Sequence, residues 1–176
     1  VGSEMCIRDR AKATQVLEAS RAAGAVPPVL AEVLRSLDLP ESALARMHIG
    51  SVIFANKPGD GSAREQAASC QRVLGGCANI CYEFATKRYR SNCVNWGMLP
   101  FTLAEGAAFD GDAGDFVYVP DVREKLARGD EEFPAVLVHS GKAQPITLYL
   151  KNTSAEEREL LLTGCLMNHY AAQNRR

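Results

Sequence analysis

At 176 residues, 47% of them hydrophobic, the chain is long enough to bury one proper core and suits a single domain. Lys and Arg number 20 against 21 Asp and Glu, a net charge of -1, which excludes a broad electrostatic pull toward nucleic acid or an anionic membrane surface. No apolar run approaches the roughly 18 residues that span a bilayer, and the six cysteines (Cys6, Cys70, Cys77, Cys81, Cys93, Cys165) are too scattered for a secreted disulfide framework, so a soluble protein of the reduced cytoplasm is expected.

Taken in chain order, residues 1–10 carry no helical or strand period that joins them to the rest of the chain. They look like translated sequencing-adaptor sequence and are set aside from the fold reading. On that reading the natural chain would continue upstream, leaving this one as its C-terminal piece. From 11 to 23, Ala13, Val16, Leu17, Ser20 and Ala23 recur at helical spacing and end at Gly24. Pro27-Pro28 breaks the chain, and Pro28 suits the first turn of a second helix over 29–37. A third short helical piece begins after Pro40 and reaches Met47. Residues 11–48 are alanine-rich and read as a linker or as cover for one face of a domain spanning 49–176.

Beyond Gly50 the pattern becomes α/β. A strand is expected at 52–56, then a glycine-rich turn and a helix over 63–74 stopped by Gly75-Gly76. A strand at 78–84, a helix at 86–96 with Gly97 at its end, and a short extended piece at 98–103 come next. After a polar turn at 110–115, strands are expected at 116–119, 135–139 and 145–152. One last amphipathic helix covers 155–172, with Ser154 as N-cap and Glu156 and Glu157 in its first turn.

The chemistry falls in Gly59-Asp60-Gly61-Ser62-Ala63-Arg64-Glu65-Gln66, between the first strand and its helix. A glycine turn running into a helix start leaves backbone N–H groups free, and their dipole favours an anion. Arg64 is able to clasp a carboxylate with two parallel hydrogen bonds, and Ser62 is near enough to exchange a proton. The plainer reading makes Ser62 a helix cap and Arg64 a surface charge. Glu65 joins the site or complements the helix dipole. Lys87, Arg88 and Arg90 either bind a carboxylate or support a domain interface. Asn92 and Asn95 organise the turn into Gly97, Trp96 packs, and His48, His139 and His169 are structural. Asn152-Thr153-Ser154 fits a glycosylation sequon, though nothing else points to secretion. Cys77 and Cys81 lie on a strand and Cys70 and Cys93 on helices, where small buried thiols serve as core residues. Gly59-x-Gly61 lacks the third glycine of a dinucleotide fingerprint.

Three ordered motifs carry a resemblance: Gly59 to Glu65 (Gly-x-Gly-Ser-x-Arg-Glu), Leu74-Gly75-Gly76, and Asn92 through Pro100 (Asn-x-x-x-x-Gly-x-Leu-Pro). Their order and spacers over about residues 49–101 resemble the swivelling C-terminal domain of the aconitase and isopropylmalate dehydratase superfamily. Within it the loop from Lys57 to Gln66 is most similar to that of bacterial hydratases related to aconitase. The resemblance implies an α/β fold of the three-layer β/β/α kind and a lid that closes over substrate. It implies a lyase, reversibly dehydrating a hydroxy di- or tricarboxylic acid, with Ser62 as catalytic base and Arg64 binding a substrate carboxylate; beside them, Gly61, Ser62 and Arg90 are taken as candidate substrate-binding residues. The Lewis acid it implies is a [4Fe-4S] cluster held by three thiolates of other domains or of a large partner subunit, with no metal on this chain, which alone would be inactive. Where the family carries a second serine this sequence has Ala63, and where a histidine is usual it has Gln66. A separate small subunit of an isopropylmalate-type dehydratase, or a non-catalytic carboxylate-binding or interaction domain, are the alternatives. The identity of the hydroxy acid and the oligomeric state are left open.

Overall fold

The computed structural model describes residues 26–173; the helix expected at 11–23 and the segment 1–10 lie outside them. The chain begins with α1 (Pro28–Ser36), with Pro at its first position as expected. Next comes a 3-10 turn at Glu41–Arg46. The Ser36 hydroxyl donates to the Gly141 carbonyl at 3.0 Å, which fastens α1 to a distant hairpin turn.

The domain proper is α/β. Its elements run β1 (Ser51–Ala55), α2 (Arg64–Val73), β2 (Gly76–Cys81), α3 (Lys87–Asn95), β3 (Leu99–Thr102), β4 (Phe116–Tyr118), α4 (Val122–Arg128), β5 (Glu132–His139), β6 (Lys142–Tyr149), α5 (Ala155–Thr163) and α6 (Leu166–Gln173). The six strands form one mixed sheet in the order β1-β2-β3-β6-β5-β4. β1, β2 and β3 are parallel, linked by the crossover helices α2 and α3. β4, β5 and β6 are antiparallel. The two halves are joined at a single register pair, Thr102 with Tyr149, where the Thr102 hydroxyl also donates to the Tyr149 carbonyl.

Burial is set by this arrangement. β2, the middle parallel strand, is buried along nearly its whole length and reads Gly-Cys-Ala-Asn-Ile-Cys without polar alternation. Ile80, Phe101, Phe133, Leu148 and Leu150 make the core, and the Phe101 and Phe133 rings meet edge-on at 5.3 Å. β5 and β6 form a hairpin turned by Ser140-Gly141, both at positive φ (50° and 73°), the conformation a two-residue turn of matching twist demands.

Four elements differ from the sequence expectation. The helix expected over 155–172 breaks at Gly164, whose φ of 99° ends α5 and starts a new axis for α6. That glycine meets Gly97, where an added Cβ would lie 1.6 Å from the Gly164 carbonyl oxygen, so two glycine turns touch backbone to backbone. α4 has no counterpart in the expectation, because its seven residues, Val-Arg-Glu-Lys-Leu-Ala-Arg, bury only Leu126 and show no sustained period. β5 and β6 start three residues earlier than expected: β6 opens on the exposed Lys142, Ala143 and Gln144, and β5 on Glu132, Phe133 and Pro134, of which only Phe133 is buried, so neither start carries a sustained apolar run. Ser154 caps α5 as expected, in a reciprocal box with Glu157.

Candidate functional site

The loop between β1 and α2 is anchored at one end and open at the other. The Asn56 carbonyl accepts from the backbone N–H groups of Tyr82 and Glu83, and the Pro58 carbonyl from Ala85 at 2.9 Å. The Thr86 hydroxyl donates to the Gly59 carbonyl at 3.2 Å while accepting from Tyr89 N–H as the cap of α3. Lys57 pairs with Glu83 at 2.7 Å. Gly59 has φ 94°, and a Cβ there would stand 2.5 Å from Tyr89 Cβ, so only glycine brings the loop this close to α3. Residues 60–63 are exposed beyond this anchor.

The residues singled out in the sequence take distinct places around this loop. α2 begins at Arg64 with Ala63 as N-cap and no side-chain cap, so Ser62 is not a capping residue. The first-turn N–H groups are left without the acceptor that a polar cap would provide. Ser62 is exposed, and its hydroxyl has no hydrogen bond among the described residues. Arg64 is half-buried, and its Nε is fully buried without a partner; only Asn79 Oδ1 shares that condition among the described residues. A buried guanidinium N–H without a partner is costly. Where a Cβ of Gly61 would sit there is open space, so the backbone at that point is approachable.

Arg90 is placed differently. Its Nη1 donates to Glu157 Oε1 at 2.8 Å and its Nη2 to the Thr153 hydroxyl at 3.0 Å, joining α3 to the start of α5. These partners occupy the donors that a substrate carboxylate would need, and the Arg90 reading as interface support is the one its geometry favours. Lys87 and Arg88 are exposed on the first turn of α3.

Two contacts escaped the sequence reading. The Trp96 Nε1–H donates to Glu65 Oε1 at 3.1 Å, reaching from the end of α3 to the first turn of α2. The signal available was that an indole N–H in a packed setting seeks an acceptor. His139 Nδ1 lies 2.6 Å from Asp115 Oδ2, which ties the loop before β4 to the hairpin turn. That hydrogen bond, reinforced by the charge on Asp115, Asp112 and Asp110, raises the His139 pKa above its usual value. His169 is buried near Glu159, and His48 is exposed.

The thiols of Cys77, Cys81 and Cys93 do not fit a [4Fe-4S] cluster. Cys77 Sγ donates to the Ser51 carbonyl and Cys81 Sγ to the Phe101 carbonyl, while Cys93 Sγ accepts from Asn79 Nδ2 at 3.3 Å. Burial pushes the Cys81 thiol up to about 12 and that of Cys93 to about 11, and raises Cys77 as well, which opposes the thiolate a cluster requires. Among the described residues no three His, Cys, Asp or Glu side chains converge as metal ligands. Among them, too, no helix is long and apolar enough to cross a membrane.

Residues 44–106 match the aconitase C-terminal domain family. The chain is 32% identical over 113 residues to the mitochondrial aconitate hydratase of Schizosaccharomyces pombe, covering 64% of this chain and 14% of that protein. It is 44% identical over 59 residues to aconitate hydratase A of Bradyrhizobium diazoefficiens, covering 33% of this chain and 6% of that one. The chain thus spans 15% or less of the length of the curated relatives it matches. Among solved structures, 3-isopropylmalate dehydratase (leuD) of Methanocaldococcus jannaschii is 23% identical with a TM-score of 0.49, over 86% of this chain and 81% of that one.

Proposed function

We propose, from the match of residues 44–106 to the aconitase C-terminal domain family, that the chain is the swivel domain of an aconitase-like hydro-lyase acting on a hydroxy di- or tricarboxylic acid. The observation that carries this reading is Arg64, whose buried Nε has no partner, at an uncapped helix start beside an exposed serine. A carboxylate seated there satisfies the guanidinium and the free N–H groups together. In this reading Arg64 holds one substrate carboxylate and Gly61 lets the backbone approach it. Ser62 Oγ removes the proton from the carbon next to a carboxylate. A serine hydroxyl is a weak base at its ordinary pKa, so its alkoxide needs the N–H groups and the Arg64 cation nearby. Arg90 is assigned to holding α3 against α5.

The cluster is assigned to companion domains or a partner subunit, which supply the Lewis acidity that departure of the hydroxyl needs. Closure of this domain over them would exclude water and bring Ser62 to the substrate. The isolated chain, residues 49–176 as one domain with the preceding segment as its linker, is inactive by itself in this account. Its free thiols suit a reducing compartment such as the cytoplasm.

The test is reconstitution with the cluster-bearing domains of an aconitase-like protein, with a dehydration assay as the readout. Ser62→Ala should lower kcat by about 10²- to 10⁴-fold, the usual contribution of a general base. Arg64→Ala should act chiefly by raising KM. Full activity in the Ser62→Ala chain would remove the serine from the chemistry, and an absence of activity with every partner would leave a carboxylate-binding role.

A further inference from the structure

Arg64, Ala68 and Gln71 follow one another along α2 at the spacing that puts residues on one face of a helix. Ala68 and Gln71 are the buried residues of that helix, and Ala68 packs in one cluster with Tyr89, Cys93 and Met98 of the α3 side. Gln71 is a buried amide with both ends in use. Its Nε2 donates to the Ala78 carbonyl of β2 at 3.2 Å, and its Oε1 accepts from the Tyr89 hydroxyl at 3.4 Å. The same phenol hydrogen-bonds Cys93, whose sulfur accepts from Asn79 Nδ2. The near side of the Tyr89 ring seats the site loop: a Cβ built on Gly59 would stand 2.5 Å from Tyr89 Cγ and 2.6 Å from Cδ1. Tyr89 N–H also bonds the Thr86 hydroxyl that holds the Gly59 carbonyl. One buried side chain therefore meets the chain on both sides of Ser62, at Gly59 before it and on α2 after it. Buried polar groups bonded in series admit one arrangement where apolar packing admits several.

We propose that Tyr89 is a positioning residue for the anion site: its ring seats the loop at Gly59 while its hydroxyl, through Gln71, holds α2 and the Arg64 at its start in register with that loop. The assignment rests on the reading of Arg64 given above and deepens it, because it says what fixes the guanidinium relative to Ser62.

The experiment titrates the intact chain calorimetrically with tricarballylate, an unreactive tricarboxylate, and records a thermal melt of each variant beside it. The wild-type chain should bind, and Arg64→Ala should abolish binding. Tyr89→Phe keeps the ring against Gly59 and loses only the hydroxyl. Gln71→Met keeps the length of the side chain and loses the acceptor. Each should weaken binding about fivefold, the scale of one neutral hydrogen bond, in a chain that the melt shows to be folded at the titration temperature. The double variant should bind within about twofold of either single one, because both changes break the same link. A wild-type chain that ignores tricarballylate, or an Arg64→Ala chain that binds as well as wild type, overturns the Arg64 reading and the proposal with it. Arg64-dependent binding that Tyr89→Phe and Gln71→Met leave unchanged overturns the proposal alone, even where both lower the melting temperature, since packing alone would act on stability and not on affinity. Losses that multiply in the double variant overturn it too, because the two side chains would then act separately.

Discussion

Arg90 Nη1 stands 2.8 Å from Glu157 Oε1, with both side chains less than a quarter exposed, so one ion pair spans the gap between α3 and the first turn of α5. Glu157 is at the same time the N3 partner of Ser154 in the capping box of α5. The helix that supports the site loop is thus tied to the helix that closes the C-terminal half. Removing the guanidinium leaves a partly buried carboxylate and the Thr153 hydroxyl short of a donor. Arg90→Ala should therefore destabilise the fold by about 2 kcal/mol, in the range of charged hydrogen bonds broken from one side. Chemical denaturation checks this. A cycle with Glu157→Gln should show coupling of about 1 kcal/mol or more, and an uncoupled pair would make Arg90 a free cation again, open to a substrate carboxylate.

The anchored and open halves of the loop predict opposite responses to the same small change. Gly59→Ala places a methyl 2.5 Å from Tyr89 Cβ at a φ of 94°, where neither the backbone of α3 nor the turn has room to give. It should cost about 2 kcal/mol and shift the loop off α3. Gly61→Ala meets nothing within 4 Å and has no positive φ, so its effect on stability should stay within about 0.5 kcal/mol. Thermal melts of the two variants side by side decide it; equal losses would mean that the loop is not stapled where Gly59 meets Tyr89.

The parallel half of the fold was legible in sequence because each signal there is local. The apolar run before the loop, Gly75-Gly76 after α2 and Gly97 after α3 mark boundaries that the chain adopts within a residue or two. The antiparallel half was less so: α4 is short and charged, with one buried leucine, and Gly164 lies inside an otherwise continuous apolar pattern. Its break is decided by contact with Gly97, 67 positions away, which no window of sequence contains. In the site the loop residues were identifiable by type. The partners of Arg90 and Glu65 were not, because each lies on another helix, Glu157 and Trp96.

The cysteines should divide sharply by reactivity. Cys70 is exposed near the end of α2, whereas Cys81 and Cys93 are buried, with burial pushing their pKa values to about 12 and about 11. A thiol reacts through its thiolate, so at pH 8 iodoacetamide should label Cys70 first and leave Cys81 and Cys93 unmodified in the native protein. Peptide mass spectrometry after a timed pulse measures the order, and early labelling of Cys81 would mean that β2 is not the buried middle strand of the parallel half.

His139 gives the fold a pH dependence with a definite sign. Asp115 Oδ2 accepts from His139 Nδ1 and from the Asp112 backbone N–H, both at 2.6 Å, so one carboxylate gathers the polar loop onto the end of β5. Hydrogen bonding to Asp115 comes first among the causes that raise the His139 pKa, then the charge of Asp115; desolvation opposes them, and the charges of Asp112 and Asp110 add smaller upward effects. A raised value in the folded state means that the folded chain binds the proton more tightly than the unfolded one. The stabilisation is therefore complete below the ordinary histidine pKa of about 6.5 and disappears as pH rises through the folded value above it. Asp115→Asn removes the charge while keeping an acceptor, and should return the His139 midpoint toward the ordinary value and flatten the melting temperature between pH 5.5 and 8. The His139 Cε1–H resonance tracked across that range measures the midpoint directly. An unchanged midpoint in Asp115→Asn would mean that the two side chains do not share a proton in solution.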